Sequence, residues 1–489
     1  MASYVSVAQT LVQAITSLQK TQRLSRIYFF AGPEENGVLT MGTASALAAL
    51  SPRVSDGITL VHVTPRGAHS EDNRRMRERV PASIDVITVE TNFEPIAFDP
   101  TDVVIDGLFG IECETPLVGG FEAMINYINS VDPLTISLTL PSGMYADGSN
   151  LGKNQVMVEP QATILTLPLI VKYLSDAVRA MGRVFEVAYA PDEVGSIWHQ
   201  EKVEYRMINE ARIKARVQTM SEWAHKGTFG NALLVAGSTG MAGAAVMAAK
   251  GAMRSGVGKL TCFSCLCNRE ILQNQVPQAM VLLDENPHCW RDNIDDLEHF
   301  SHVCIGPGLG QNPDTGVALD HTLRALKLMN IPCVLDADAL NLMANHKEMM
   351  RHIPDGSILT PHLKELERLS CRCASVMDLI VQAERIAKDY NCYVVVKGHN
   401  SAICYPDGSL FINPTGNAGM ATGGSGDVLS GVLLGLLAHG YAPEDAVRLG
   451  VYIHGLAGDL AAEALTPIAM HAGDIIEYLP QAWKHLLEK

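Results

Sequence analysis

The densest chemistry in this sequence lies in Asn417-Ala-Gly-Met-Ala-Thr-Gly-Gly-Ser-Gly-Asp-Val-Leu-Ser-Gly431. From Thr422 to Gly426 every residue is a glycine or a small hydroxyl, and an apolar helical run follows from Val428. Glycines let several backbone N–H groups converge on one point, and the start of a helix adds partial positive charge there. Such a nest holds an anion, and beside a proton acceptor it suits a phosphoryl group in transfer. Asp427, at the start of that helix, is placed to take a proton from an acceptor hydroxyl. The alternative is a plain helix cap, for which Asp is a favoured residue. Five small residues in front of it exceed what a cap needs, so we read Asp427 as the base.

Four further places put reactive types at the ends of apolar runs. Gly306-Pro-Gly-Leu-Gly310 follows Val303-Cys-Ile and permits close backbone approach. His362 ends a run in Thr-Pro-His, where a lone histidine is more often satisfied structure than ligand. Asp336 and Asp338 follow Cys333-Val-Leu and either organise water or Mg²⁺ around phosphates or cap the next helix. Val396-Lys-Gly-His-Asn-Ser401 offers Lys397 as a point charge for phosphate and turn amides beside it. Gly398 and Asn400 equally suit a simple hairpin. His454 and Asp459 lie in a run rich in small residues and are read as helix-packing residues.

These residues need a scaffold that gathers strand ends. Two segments begin alike, an apolar strand ending in glycine before a helix of small residues. They are Ile27-Tyr-Phe-Phe-Ala-Gly with Gly42 to Leu50, and Ala232-Leu-Leu-Val-Ala-Gly with Ala242 to Ser255. Short β-branched runs such as Val103-Val-Ile-Asp and Tyr393-Val-Val-Val alternate with helical patterns such as Met377 to Tyr390. Buried strands alternating with helices predict parallel sheets covered on both faces, with ligands at the carboxyl ends of the strands. The charged stretch Glu201 to Lys226 reads as a linker and first helix, dividing residues 1–205 from 206–489.

Bulk properties narrow the partners. A net charge of −16, with no block of Lys and Arg, excludes nucleic acid and anionic membrane as the main partner. No apolar run reaches spanning length and no signal peptide is visible. The eleven cysteines, scattered in apolar runs, read as reduced thiols of a cytoplasmic protein. Cys262, Cys265 and Cys267, with Cys371 and Cys373, make a weaker case for a metal site than for core packing.

The Gly-Ser-Gly-Asp segment resembles the anion-hole motif of ribokinase-like small-molecule kinases. The longer string GMATGGSGDVLSGVLLGLLAHG is similar to the NAD(P)H-hydrate dehydratases among them. So are HKGTFGNALLVAGSTGMAGAAVMAAKGAMRSGVGKLT, IGPGLGQ, VLDADALNL, LTPHLKELERL, VVKGHNSAI and YIHGLAGDLAAE, over residues 225 to about 485. The resemblance implies a nucleotide that phosphorylates the hydrated nicotinamide ring, followed by loss of phosphate, which leaves far more readily than hydroxide. It implies Asp427 as base and hydrate contact, with Ala244, Gly308, Gly310 and His362 as the rest of the hydrate's cradle. On the nucleotide side it implies Lys397, Gly398, His399, Asn400, Ser401, Gly424 and Gly426, with ADP or ATP as co-substrate and Mg²⁺ as cofactor. Other implied partners are small molecules only, in a homo-oligomer.

Residues 5 to 190 resemble the NAD(P)H-hydrate epimerase domain usually fused to this dehydratase. Val104-Ile-Asp-Gly-Leu-Phe-Gly110, Thr115-Pro-Leu and Leu140-Pro-Ser-Gly143 follow in that family's order, and the chain starts at about the family's second helix. Asp106 and Ser142 match positions that imply a residual monovalent cation (K⁺) site. The family's acid/base carboxylate, two residues before Pro-Ser-Gly, is Thr139 here. Its asparagine–glycine phosphate loop reads Glu34-Glu-Asn-Gly-Val-Leu-Thr40, whose two acids repel phosphate. A threonine hydroxyl does not titrate near neutrality, so epimerase activity is expected to be lost. The expected fold is two three-layer α/β/α domains, a Rossmann-like one and then a ribokinase-like one.

Overall fold

The computed structural model describes residues 4–18, 26–50, 57–65, 69–91, 93–98, 100–166, 174–187 and 205–488. The chain divides into two compact units, Met1–Lys202 and Val203–Lys489 (Ala374–Asp378 aside). Each is an α/β unit built on a sheet that is wholly or mainly parallel.

Among the described residues the first unit has seven strands, all parallel: β1 (Ile27–Ala31), β2 (Ile58–Val63), β3 (Asp85–Val89), β4 (Val103–Gly107), β5 (Leu134–Leu138), β6 (Ala162–Leu165) and β7 (Arg183–Glu186). Their order is β3-β2-β1-β4-β5-β6-β7, with Ile27 opposite Ile58 on one side and Val103 on the other. Strand residues point alternately to the two faces. Phe29, Leu60 and Ile105 therefore pack under the helices Tyr4–Leu18 and Glu35–Leu50, while Tyr28, Val61 and Val104 pack under Gly120–Val131. Strand order reverses between β1 and β4, the place where such sheets collect ligands.

The helix after β1 is longer than the sequence indicated, running from Glu35 to Leu50. The segment Glu34 to Thr40 is thus mostly its first turns rather than an open loop. Asn-Gly reads locally as a turn, but Glu35 in the first turn complements the positive end of a helix.

Among the described residues the second unit has ten strands: β8 (Tyr205–Met207), β9 (Asn231–Val235), β10 (Lys259–Cys265), β11 (Met280–Asp284), β12 (His302–Ile305), β13 (Cys333–Leu335), β14 (Ile358–Leu359), β15 (Tyr393–Val396), β16 (Ala402–Cys404) and β17 (Leu410–Ile412). Their order is β11-β10-β9-β12-β13-β14-β15-β16-β17-β8, and only β16 runs antiparallel to its neighbours. The switch of direction falls between β9 and β12. Part of the expected linker is an edge strand, since Tyr205–Met207 pairs with Leu410–Ile412 before the short helix Glu210–Lys214. Residues 201–204 lie outside the described residues.

One face of this sheet carries the helices Ala242–Met253, Ser425–His439, Pro443–Leu465 and Ala472–Leu487. The helix Ser425–His439 is buried from Val428 to Ala438, as an all-round apolar helix must be. It lies backbone to backbone on Ala242–Met253. A Cβ at Gly431 would stand 1.9 Å from the Ala248 carbonyl oxygen, and one at Gly251 2.6 Å from that of Val428. Glycine at these contacts sets how deep the start of the helix sits, and with it Asp427.

All eleven cysteines are free, and Cys304, Cys333, Cys392 and Cys404 are buried as expected, although Cys267 and Cys371 are exposed. Cys265 and Cys267 are 3.4 Å apart at sulfur. Among the described residues the only group spaced for a metal is the exposed Asp296, Glu298 and His299, which contains none of the cysteines. No helix among them is long and apolar enough to cross a membrane.

Candidate active site

At the carboxyl ends of β13, β14 and β15 a cavity of about 870 Å³ opens in the second unit. Its floor is the first turn of Ser425–His439. Gly424 precedes that helix with φ 95°, a conformation only glycine adopts freely, and no side chain caps the helix. The first N–H groups of a helix have no carbonyl of their own helix to reach, and here they belong to residues lining the cavity. Asp427 is the third helical residue, not the cap. Burial and then the nearby Asp336 push its carboxyl up to about 7, against the pull of Lys397. A carboxylate that exchanges its proton near neutrality is matched to general base work.

Asp336 occupies the cap position of the helix Ala337–Asn345, yet its side chain makes no cap bond. One oxygen lies 2.6 Å from Lys397 Nζ and the other accepts from Ser430 Oγ at 2.6 Å. Asp338 likewise does not cap: it accepts from the Gly310 N–H at 2.8 Å and from Asn341. The cap expected of this pair is absent, and each oxygen of the two carboxylates accepts one hydrogen bond.

Lys397 is bracketed by Asp336 and, at 4.0 Å, by Glu365 Oε2. Burial works against its charge, but the two carboxylates more than offset this and hold it above the ordinary lysine value. His362 forms a capping box. Its Nδ1 accepts the N–H groups of Lys364 and Glu365, and its own N–H donates to Glu365 Oε2 at 2.8 Å. Those partners assign the ring proton to Nε2. Burial, then Lys397, lowers its pKa, so the ring is a neutral Nε2–H donor at the cavity wall.

Gly398, His399 and Ser401 line the same cavity, and the turn they form is also the hairpin joining β15 to antiparallel β16. Asn400 is not among the lining residues. His454 and Asp459 do more than pack helices. The Nε2–H of His454 reaches the Ser425 carbonyl at 3.0 Å, and burial takes this ring down to about 4, hence neutral. Asp459 accepts from the Gly416 N–H and from Asn417, fixing the loop that closes one wall.

Ala244, Gly308 and Gly310 gather at the switch between β9 and β12, away from the lining of the main cavity. A Cβ at Gly308 would meet that of Ala244 at 2.9 Å, and Ser238 Oγ donates to the Gly308 carbonyl. Glu365 and Ser430 escaped sequence reading. Their only local signals were a Glu three residues past a cap and a Ser one turn past Gly426.

The strand ends of the first unit are built differently. The N–H of Asn36, in the first turn of Glu35–Leu50, donates to Glu112 Oε1 at 3.0 Å, and the Gly110 N–H donates to Glu112 Oε2 at 2.9 Å. Thr139 is buried with φ 67°, and its hydroxyl bonds to Asn36 Oδ1 and Thr166. The cleft among these residues measures about 30 Å³. Asp106 and Ser142, where the K⁺ site was expected, are hydrogen-bonded to each other. Asp106 is fully buried, and its carboxylate accepts from Ser137 Oγ, from Ser142 Oγ and N–H, and from the Leu108 N–H. Both oxygens are spent on holding the β4 and β5 ends together.

Residues 232–481 match the family described as NAD(P)H-hydrate dehydratase, and residues 5–169 match the YjeF-related protein N-terminus. The chain is 34% identical to a bifunctional NAD(P)H-hydrate repair enzyme of Moorella thermoacetica, over 81% of this chain and 75% of that protein. It is 35% identical to the ADP-dependent (S)-NAD(P)H-hydrate dehydratase of Bacillus subtilis, over 56% of this chain and 96% of that one. A crystal structure of an ADP/ATP-dependent dehydratase from B. subtilis, grown with ATP and Mg²⁺, covers 57% of this chain and 98% of its own, with a TM-score of 0.50 and 31% identity.

Proposed function

Because the chain belongs to the bifunctional NAD(P)H-hydrate repair family, with a dehydratase domain and an epimerase-type domain, we propose that residues 206–489 dehydrate (S)-NAD(P)H hydrate using ADP or ATP. We further propose that residues 1–205 no longer run the epimerase step.

The observation that carries the first part is the pairing of an uncapped helix start with Asp427 raised to about 7 beside Lys397. Asp427 removes the proton of the ring hydroxyl as that oxygen attacks the terminal phosphorus. The bond from phosphorus to the nucleotide breaks, and the amides of the first turn, with Lys397, hold the equatorial oxygens. His362 Nε2–H donates to the carboxamide or to phosphate. Electron push from the ring nitrogen then expels phosphate, and loss of a proton from the adjacent ring carbon to water restores the double bond. Ala244, Gly308 and Gly310 supply the far side of the cradle, and His399, Asn400 and Ser401 the nucleotide side. Mg²⁺ supplies positive charge on the phosphates, and it arrives with the nucleotide.

Incubation with hydrate, Mg²⁺ and each nucleotide in turn tests this reading. Reduced-nicotinamide absorbance should return together with inorganic phosphate. A related small-alcohol kinase would retain a phosphorylated product instead, and that outcome overturns the reading.

Support for the second part is Glu112, whose carboxylate holds the two N–H groups a phosphate would need, and Thr139 in the place of a carboxylate.

A further inference from the structure

Several independent constraints converge on one carboxylate of the second unit. Asp336 is 1% exposed, with Lys397 Nζ on one oxygen and Ser430 Oγ on the other, each at 2.6 Å. The next residue, Ala337, has φ 47°, a region that residues bearing a Cβ rarely adopt. Gly306 presses on its backbone from behind, where a Cβ would stand 1.8 Å from the Asp336 carbonyl oxygen. Backbone strain and a buried ion pair both cost stability, and such strain persists where the surrounding structure over-determines a group. The object so held is the Lys397 ammonium, on a four-carbon stem that is flexible by itself. Its Nζ lies 3.3 Å from the position a Cβ would take on Gly426, in the first turn below the cavity.

We propose that Asp336 is a positioning residue: anchored by Ser430 and the strained turn at Ala337, it fixes Lys397 against the Gly426 turn, where Lys397 serves the phosphoryl group in transfer rather than the resting nucleotide. The inference rests on the dehydratase reading of the same site. In transfer the charge spreads over the equatorial oxygens, and a cation fixed beforehand needs no rearrangement to meet it. Asp336 itself touches no ligand. Its charge also reaches Asp427, which is faced by Asp336 and Asp338 at the end of β13, Lys397 at the end of β15 and Glu365 on the helix Leu363–Leu369.

Steady-state kinetics on Asp336→Asn, Lys397→Ala and the double variant test this, with a thermal melt for each. Asp336→Asn should lower kcat about a hundredfold, while each KM changes less than about threefold. The double variant should be no slower than Lys397→Ala alone, because Asp336 acts through Lys397. The acid limb of the rate profile should move to lower pH in Asp336→Asn, as Asp427 loses a negative neighbour. Multiplied losses in the double variant, an unmoved acid limb, or a raised nucleotide KM with kcat retained would each overturn the proposal. If Asp336→Asn does not fold, Ser430→Ala replaces it, with an expected loss of about fivefold in kcat and no downward move of the acid limb, because Asp336 keeps its charge. Calorimetry with AMP or ADP, Mg²⁺ and aluminium fluoride reads the contact without turnover. Asp336→Asn should lose the fluoride-dependent gain in affinity and keep ordinary nucleotide binding. Wild-type protein that shows this gain but does not dehydrate the hydrate sinks the dehydratase reading alone. Equal gains in wild type and variant sink the inference alone.

Discussion

Each unit has a helix start whose first N–H groups lack partners in their own helix: Glu35–Leu50, which follows β1 directly, in the first, and Ser425–His439, reached from β17 through a loop, in the second. In the second unit those N–H groups face a cavity of about 870 Å³ and no side chain reaches them. In the first unit Glu112 reaches across from the β4 end and takes the N–H of Asn36 and of Gly110, beside a cleft of about 30 Å³. A helix start is therefore not a site by its fold alone. It becomes one where the chain leaves its amides without a side-chain acceptor, and becomes structure where one carboxylate is long enough to arrive.

The strongest way to break this comparison is to fill the open nest. Gly426→Val puts side-chain atoms where Lys397 Nζ is only 3.3 Å from a first Cβ, and Gly424→Val adds backbone strain at φ 95°. Each should cost about a thousandfold in turnover, measured as return of reduced-nicotinamide absorbance. A valine variant with native turnover removes the role of the nest.

Next in size is Asp427→Asn, which keeps the shape and removes the base. Turnover should fall about a hundredfold or more, with nucleotide affinity little changed. In the wild type, activity should rise with pH through about 7 as Asp427 loses its proton. The same shift has a cost to the fold. A carboxyl whose pKa is raised by folding favours the folded state below its unfolded pKa, and that support is lost as pH rises through the folded value. Asp427→Asn should therefore stabilise the protein, and more at pH 8 than at pH 5. Melting temperatures showing a pH-independent effect would mean that Asp427 is not held near 7.

A smaller effect tests the closed nest. Glu112→Ala leaves two backbone donors without their charged acceptor, which should cost the fold about 1–2 kcal/mol. Added inorganic phosphate should recover part of that loss in the variant and do nothing for wild type. The dehydratase should stay within about twofold of native, since Glu112 belongs to the other unit. A melting curve for Glu112→Ala that ignores phosphate would show that the nest binds no anion when opened.

How far the sequence reached follows the same division. The run Thr422 to Gly426 with Asp427 was legible because the nest and the base are contiguous, and the strand ends at Asp336, His362 and Lys397 were legible because each follows an apolar run. Ser430 and Glu365 were not, since their value comes from Asp336 and Lys397, which the fold brings from other strands. Glu112 was invisible for the same reason, being 76 residues from the N–H it accepts. Asp106 and Ser142 were found as a pair, but which donors fill the carboxylate is settled by β5 and by the loop after it. Tyr205–Met207 reads as linker in the sequence because three residues carry no period.

The smallest expected effect is none at all, and it bears most directly on the first unit. Epimerising the hydrate needs a group that takes and returns a proton near neutral pH. At the position the epimerases reserve for a carboxylate stands Thr139, whose hydroxyl is already bonded to Asn36 and Thr166. The neighbouring carboxylate, Asp106, is fully buried and surrounded by donors, and burial raises its pKa. Glu112 does present a carboxylate, but both its oxygens bind backbone N–H groups. So when pure R epimer is supplied with nucleotide and excess protein, its consumption should run at the rate of spontaneous epimerisation measured without protein. Doubling the protein should change nothing, and Thr139→Ala should match wild type. Consumption that rises in proportion to protein, and that Thr139→Ala slows, would show a working epimerase at this strand end and make the two nests alike after all.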